Sequence, residues 1–165
     1  MDNSLYIGID PGKNGGIAGI YKGKIDFIRC GKTTKEMSYN FQNLIWDLSK
    51  DDQGKVHVFI EHVHSFPGQG VVSTFSFGQN YGRWEGIIAS LDLHQTDVQP
   101  YTWMKYYDIK KGVSRKERKR ELRELAEGFL DYDIFEFPSK KKITFNVSDA
   151  ILIANYCNEI MGTSK

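Results

Sequence analysis

Three acidic residues interrupt apolar runs at points far apart in the chain. Asp10 ends the run LYIGID, Glu61 ends VHVFIE, and Asp149 stands at the head of a helical pattern that begins near Val147. A carboxylate that caps a buried strand costs too much to leave unpaired, so it calls for a cation. Carboxylate-rich clusters suit Mg²⁺ or Mn²⁺. Two such ions can clamp a phosphate while water attacks in line. Each acid alone also has a structural reading. Asp10-Pro11-Gly12 can start a turn, Glu61 can pair with a basic side chain, and Asp149 can complement a helix N-terminus. The catalytic reading needs a fold that brings all three together.

The pattern of elements supplies one. LYIGID at 5–10, IAGIY at 17–21 and IDFIR at 25–29 read as strands joined by tight turns, an antiparallel meander. Met37, Phe41, Leu44, Ile45 and Leu48 repeat at helical spacing over 34–50. VHVFIE at 56–61 is a fourth strand, and Asp97–Tyr101 reads as a fifth. A long helix is expected over 71–92, another after the capping box Ser114-Arg115-Lys116-Glu117, and a last one from about Val147 to Met161. Three antiparallel strands followed by parallel strands with crossover helices give the ribonuclease H-like α/β order, a mixed five-stranded sheet flanked by helices. In it the C-terminal ends of strands one and four lie side by side. At 165 residues, with neither repeat nor linker, the chain reads as a single domain over 1–165.

Composition narrows the class. A hydrophobic fraction of 40% and an aromatic fraction of 13% exclude a disordered chain. No apolar run approaches the roughly 20 residues of a membrane span, and MDNSLYIGID lacks the features of a signal peptide. The expectation is a cytoplasmic protein without a membrane partner. Cys30 and Cys157 form no zinc-type pair and read as small buried residues. The net charge of +1 hides an asymmetry: residues 1–100 carry −2 and residues 101–165 carry +3. Within the second part, 105–123 carries +6, which reads either as a solvated helix face or as an anion-binding surface.

In the helix over 71–92, Gly78, Gly82 and Gly86 recur every fourth residue. Each internal glycine costs about 1 kcal/mol against alanine, so another backbone should come close. It belongs either to the sheet of the same chain or to a second copy.

GIDPGKNGG, then VFIEHVHSFPGQG with FGQNYGRWEG, then NVSDAILIA together resemble the RuvC-type Holliday junction resolvases, and most closely their phage and poxvirus branch. The resemblance covers most of the chain, in the family's order and spacing. It implies a ribonuclease H-like homodimer that binds two Mg²⁺ or Mn²⁺ ions per active site. Such an enzyme makes paired nicks in four-way and related branched DNA, leaving 5′-phosphate ends. If phage-encoded, it would work in the cytoplasm of a bacterial host. Carried over by motif, Asp10, Glu61 and Asp149 would be metal-binding acids. Lys105 resembles a lysine that phage and viral relatives place near the scissile phosphate; its plain reading is a surface lysine after a strand. Where the family commonly has a fourth acid, this chain has Asn146, at i−3 from Asp149. Asparagine offers a metal one carbonyl oxygen but no charge, and cannot take a proton from water. The chain is then either an enzyme with three acids or a weakened protein that binds junctions without cutting.

The same resemblance gives the basic residues a use. Arg115, Lys116, Arg118 and Lys119 occupy a helical turn polar on every side, and phosphate contact becomes their expected role. Lys140, Lys141 and Lys142 precede the last helix and should extend that surface, while Lys13 lies in the turn beside Asp10. Phe66, in the loop SFPGQG, could stack on an unpaired base or anchor the loop. His62 and His64 alternate about Val63, a weak metal signal, and read as residues that support the acids or pack the loop. A nucleotide phosphotransferase of the actin and sugar-kinase type also begins with strand, Asp and glycine turn, but needs a second lobe that 165 residues cannot supply. GIDPGKN is not a P-loop, since its spacing is short and Asn14 stands where Ser or Thr is required.

Overall fold

The computed structural model describes residues 3–50, 54–62, 68, 70–109, 112–131, 134–136 and 141–162. The elements are β1 (Leu5–Ile9), β2 (Gly16–Tyr21), β3 (Lys24–Arg29), α1 (Thr34–Ser49), β4 (Val56–Glu61), α2 (Val71–Ser90), β5 (Gln95–Val98), α3 (Pro100–Tyr106), α4 (Arg115–Asp131) and α5 (Ser148–Gly162). They build a five-stranded sheet in the order β3-β2-β1-β4-β5. β1 pairs antiparallel with β2 and parallel with β4, β2 antiparallel with β3, and β4 parallel with β5. Central β1 is buried at every position, as expected of a strand covered on both faces.

One expected element is different. The strand foreseen over Asp97–Tyr101 begins earlier, at Gln95, and stops at Val98, and Pro100 opens the short helix α3. Proline fixes φ near the helical value and lacks only an N–H that a first helical turn leaves unpaired. It therefore ends the strand and starts a helix within two residues.

Strand periodicity sorts the side chains into two cores. Leu5, Ile7, Ile9, Val58 and Ile60 pack on one side with Met37 and Phe41 of α1 and Trp84 and Ile88 of α2. Tyr6 and Phe59 point the other way, into a core with Trp103 of α3, Leu122 and Ala126 of α4, and α5. The same alternation aims the residues after Ile9 and Ile60, Asp10 and Glu61, at the α5 side. α5 is buried on nearly all sides of its first three turns, including Ala150, Ile151, Leu152, Ile153 and Ala154. The apolar spacing of Ala150, Ile153, Ala154, Cys157 and Ile160 or Met161 predicts one inward stripe; as far as Cys157 it is part of a wider buried surface, whereas Ile160 and Met161, at the helix end, are exposed. α5 packs against β1, β2 and β4 and is covered by α3 and α4.

Gly8 sets how closely α5 approaches. A Cβ there would lie 2.2 Å from the Ala154 nitrogen and 2.4 Å from the Ala150 oxygen, so only glycine lets the helix backbone seat directly on β1. Both expected helix starts are fixed by side chains. Ser114 Oγ accepts from Glu117 N at 3.2 Å while Ser114 N donates to Glu117 Oε2 at 2.9 Å. α1 has an equivalent box from Thr33 and Glu36. Such caps contribute about 1 kcal/mol each.

Candidate active site

Asp10, Glu61 and Asp149 come together at the C-terminal ends of the central strands β1 and β4. Ile9 and Ile60 are register partners in the parallel β1–β4 pair, so Asp10 and Glu61 leave adjacent strands at the same level. Asp149 enters from the first turn of α5, which Gly8 allows to lie directly over these strand ends.

Each acid is held by a different device. Gly12 N donates to Asp10 Oδ1 at 3.0 Å, closing the turn that follows β1. Asp10 N donates to Gly16 O at 3.0 Å, and Cys30 Sγ donates to Asp10 O at 3.2 Å. A Cβ on Gly15 would stand 2.0 Å from Asp10 O, so this return of the chain requires glycine. Asn80 of α2 donates its amide to Pro11 O and braces the turn from outside. Glu61 Oε1 accepts a 3.0 Å hydrogen bond from the Trp103 indole, and Asp149 Oδ1 accepts one from Ser148 Oγ at 3.2 Å.

The three carboxylates keep part of their surface open to solvent, yet their surroundings desolvate them. Burial, reinforced by the charges of Asp10 and Asp149, pushes Glu61 up to about 8 despite the Trp103 hydrogen bond. Burial and the charge of Asp10 push Asp149 up to about 6. Asp10 is raised by burial, against the opposing Gly12 hydrogen bond and the charge of Lys119. The positive charge that favours ionisation of all three acids is Lys119 on α4. Lys105 is exposed on the last turn of α3.

Three oxygen-donor side chains with one lysine among their opposing charges form a negatively charged pocket that resists full ionisation. Hard divalent cations such as Mg²⁺ and Mn²⁺ fit this donor chemistry. Among the described residues, no three His, Cys, Asp or Glu side chains already surround a single point as a finished ion shell. Asn146 sits in the turn 145–147 that precedes α5, not on the helix itself. The turn leads into α5 through helix-type hydrogen bonds, Val147 N and Ser148 N both donating to Thr144 O at 3.1 and 3.0 Å. The Asn146 backbone oxygen would lie 2.8 Å from a Cβ on Gly16, which places that backbone beside the strand that receives Asp10 N.

Among the basic residues, Arg115 and Lys116 are exposed, Arg118 and Lys119 are half-buried, and Lys13 and Lys142 are exposed. Lys141 is committed elsewhere. Its Nζ lies 2.5 Å from Asp26 Oδ1 and donates to Phe27 O at 3.1 Å, tying the segment before α5 to edge strand β3. Phe66, His64 and Lys140 lie outside the described residues. Gly78, Gly82 and Gly86 are exposed, and a Cβ at any of them meets nothing within 4 Å among the described residues. Contact with the chain's own sheet, one of the two expectations for this stripe, does not occur. The exposed side chains of Val71, Val72 and Phe75 continue it toward the start of α2.

Sequence reasoning missed Trp103, Asn80 and a polar network beside Glu61. Tyr81 OH donates to Asp97 Oδ1 at 2.7 Å, Gln95 Nε2 donates to the same oxygen at 2.6 Å, and His62 Nδ1 lies 3.3 Å from Asp97 Oδ2. His62 thus ties the end of β4 to β5 through Asp97.

Compared with known proteins, the chain matches no family model and no curated protein. Solved structures do match. Thermus thermophilus RuvC superposes with a TM-score of 0.57 at 15% identity, covering 98% of each chain. The same protein in complex with a Holliday junction substrate gives 0.58 at 14% identity, again over 98% of each chain. The fold is that of RuvC. This RuvC-like, ribonuclease H-like mixed sheet flanked by helices is the architecture expected from the element order. No helix among the described residues is long and apolar enough to cross a membrane.

Proposed function

We propose that the chain is a divalent-metal-dependent endonuclease that resolves four-way and related branched DNA by paired nicks, as a homodimer of the phage and poxvirus RuvC-like branch. The observation that carries this reading is the convergence of Asp10, Glu61 and Asp149 at the C-terminal ends of the central strands, with proton affinities raised by burial in all three and by neighbouring acidic charge in Glu61 and Asp149, on a RuvC-like fold. Asp10, Glu61 and Asp149 would hold Mg²⁺ or Mn²⁺, with Asn146 at most a neutral donor. Two such ions, when bound, would supply charge for the scissile phosphate and lower the proton affinity of water near neutral pH. Gly12 N keeps one Asp10 oxygen occupied and so orients the other. The Lys119 ammonium, which faces the acids, can meet a phosphate that enters the same pocket, with Lys13 on the turn beside it. Lys105 would act near the scissile phosphate, as the sequence resemblance implies, and Phe66 and the basic turn of α4 would contact the DNA. The RuvC of Thermus thermophilus is known in complex with a Holliday junction substrate, which supports a branched-DNA partner for this fold.

The test is cleavage of four-way junction and duplex DNA with and without Mg²⁺ or Mn²⁺. Paired incisions confined to branched DNA and to metal-containing reactions are expected. Asp10→Asn should lower cleavage at least about 100-fold and leave junction affinity nearly intact. Parental-rate cutting by that variant would refute the site.

A second reading, junction binding without efficient cutting, is favoured by Asn146, which offers neither a negative charge nor a proton acceptor where the resemblance implies a fourth acid. Asn146→Asp decides between the two. A large gain in Mg²⁺-dependent cleavage at unchanged junction affinity marks a weakened enzyme. Equal rates at saturating Mg²⁺ make the three acids the complete set.

A further inference from the structure

We propose that Trp103 is the positioning residue of the metal site, holding one oxygen of Glu61 so that the other is presented to the cation. This rests on the metal-site reading above and goes beyond it, because it assigns a role to a residue outside the acid set. Trp103 is fully buried, and its one polar atom donates to Glu61 Oε1 at 3.0 Å. A hydrogen bond to a carboxylate in desolvated surroundings is strong and directional. Glutamate has three side-chain torsions, so without such a partner its carboxylate would have to be ordered by the cation itself.

The donor is fixed in turn. One helical turn on, Tyr107 meets the Trp103 ring edge-on at a centroid distance of 6.5 Å. Tyr107 OH donates to Leu152 O at 2.7 Å and accepts from Asn155 Nδ2 at 2.9 Å. Its ring also lies against Phe129 of α4. The indole is therefore anchored to α5, the helix that delivers Asp149. Glu61 and Asp149 are registered to each other through α3 rather than by direct contact. With Oε1 occupied by the indole, Oε2 is the oxygen left for an ion.

The experiment measures Mn²⁺ binding to the full chain without DNA, by calorimetry. Four proteins are compared: parental, Glu61→Gln, Trp103→Phe and the packing control Phe129→Leu. Trp103→Phe should weaken Mn²⁺ roughly 10- to 100-fold, the usual effect of losing a partner that orients a ligand, while Phe129→Leu binds like the parent. If the parent binds and Glu61→Gln does not, yet Trp103→Phe binds as tightly as the parent, this proposal alone is overturned. If the parent fails to bind, or Glu61→Gln binds equally well, the metal-site reading falls and this proposal with it. Weakening by Phe129→Leu to the same degree would reduce Trp103 to packing and also overturn it. A measurement on the unsubstituted chain covers a Trp103→Phe variant that does not fold. The indole N–H resonance of Trp103, assigned by elimination with Trp46→Phe and Trp84→Phe, should shift on Mg²⁺ addition. An unmoved resonance at saturating Mg²⁺ would overturn the assignment.

Discussion

Glu61 shows how burial and function pull one carboxyl in opposite directions. In the metal-free protein its proton affinity rises from 4.5 to about 8, chiefly through desolvation and then the charge of Asp10. The folded state therefore holds a proton that the unfolded state has already lost between those two values. By linkage, stability declines as pH rises through that window. Asp149, raised from 3.8 to about 6, adds the same sign over a lower range. In EDTA, the urea midpoint should fall between about pH 5 and 8.5, and Glu61→Gln should flatten the upper part of that slope. Mg²⁺ should offset the loss, because a cation favours the ionised acids. A midpoint that climbs with pH in EDTA would contradict the burial of these groups. The positions of Asp10 and Glu61 were legible in the sequence because each breaks an apolar strand at its end. Trp103 was not, because its importance lies in a single N–H whose partner is distant in sequence. Lys141 looked like its two lysine neighbours, and only the proximity of Asp26 on β3 sets it apart.

The elements that place the acids depend on two close backbone approaches. Gly8→Ala would drive a Cβ into the α5 backbone at Ala150 and Ala154. Neither atom can rotate away, so the helix must shift, which should cost on the order of 1–3 kcal/mol or more and show as a lower urea midpoint. Because α5 carries Asp149, junction cleavage should drop in that variant even where folding persists. The order of strands and helices could be read from periodicity and turn residues. Two details could not. The boundary at β5 depends on Pro100, which is compatible with a strand end and with a helix start and is resolved by the burial of Trp103 behind Glu61. The turn that carries Asn146 precedes α5 because the helix begins only at Ser148, a boundary that helical spacing alone does not locate. On α4 the i,i+4 pairs Arg120–Glu124 and Arg123–Glu127 are surface ion pairs that contribute only about 0.3–0.5 kcal/mol each. Arg115 and Lys116, a turn earlier, are exposed. Replacing Arg115, Lys116, Arg118 and Lys119 with Ala should weaken binding equally for junctions of different sequence. It should also flatten the plot of log K against log salt by up to ~0.9 for each phosphate that the protein no longer neutralises. An unchanged slope would return α4 to a solvated face.

For the molecule as a whole, the open glycine stripe on α2 gives a separable test of self-association. Among the described residues nothing lies within 4 Å of a Cβ at Gly78, Gly82 or Gly86. Gly82→Leu should therefore leave the single chain intact, or stabilise it by up to about 1 kcal/mol through helix propensity. The same change should prevent close approach of a second α2. Sedimentation should show the parent as a dimer and the variant shifted toward monomer, with thermal stability measured at matched low concentration. A parental protein that sediments as a monomer while still making paired nicks would remove the dimer from the proposal. The sequence offered two partners for this stripe because a row of small residues reports that something comes close, not what it is. The open space beside the three glycines removes one of the two.

The central seat of α5 has a consequence for the order in which a ribosome makes this chain. The helix under α3 and α4 and against β1, β2 and β4 is synthesised after every element it touches. The sheet emerges first with one face uncovered, and the core of Ile151, Leu152, Ile153 and Ala154 closes over it at the end. Asp149 travels with that closing step. A chain not yet extended through α5 thus carries Asp10 and Glu61 without the third acid, so the proposed three-acid site would be complete only once α5 is seated.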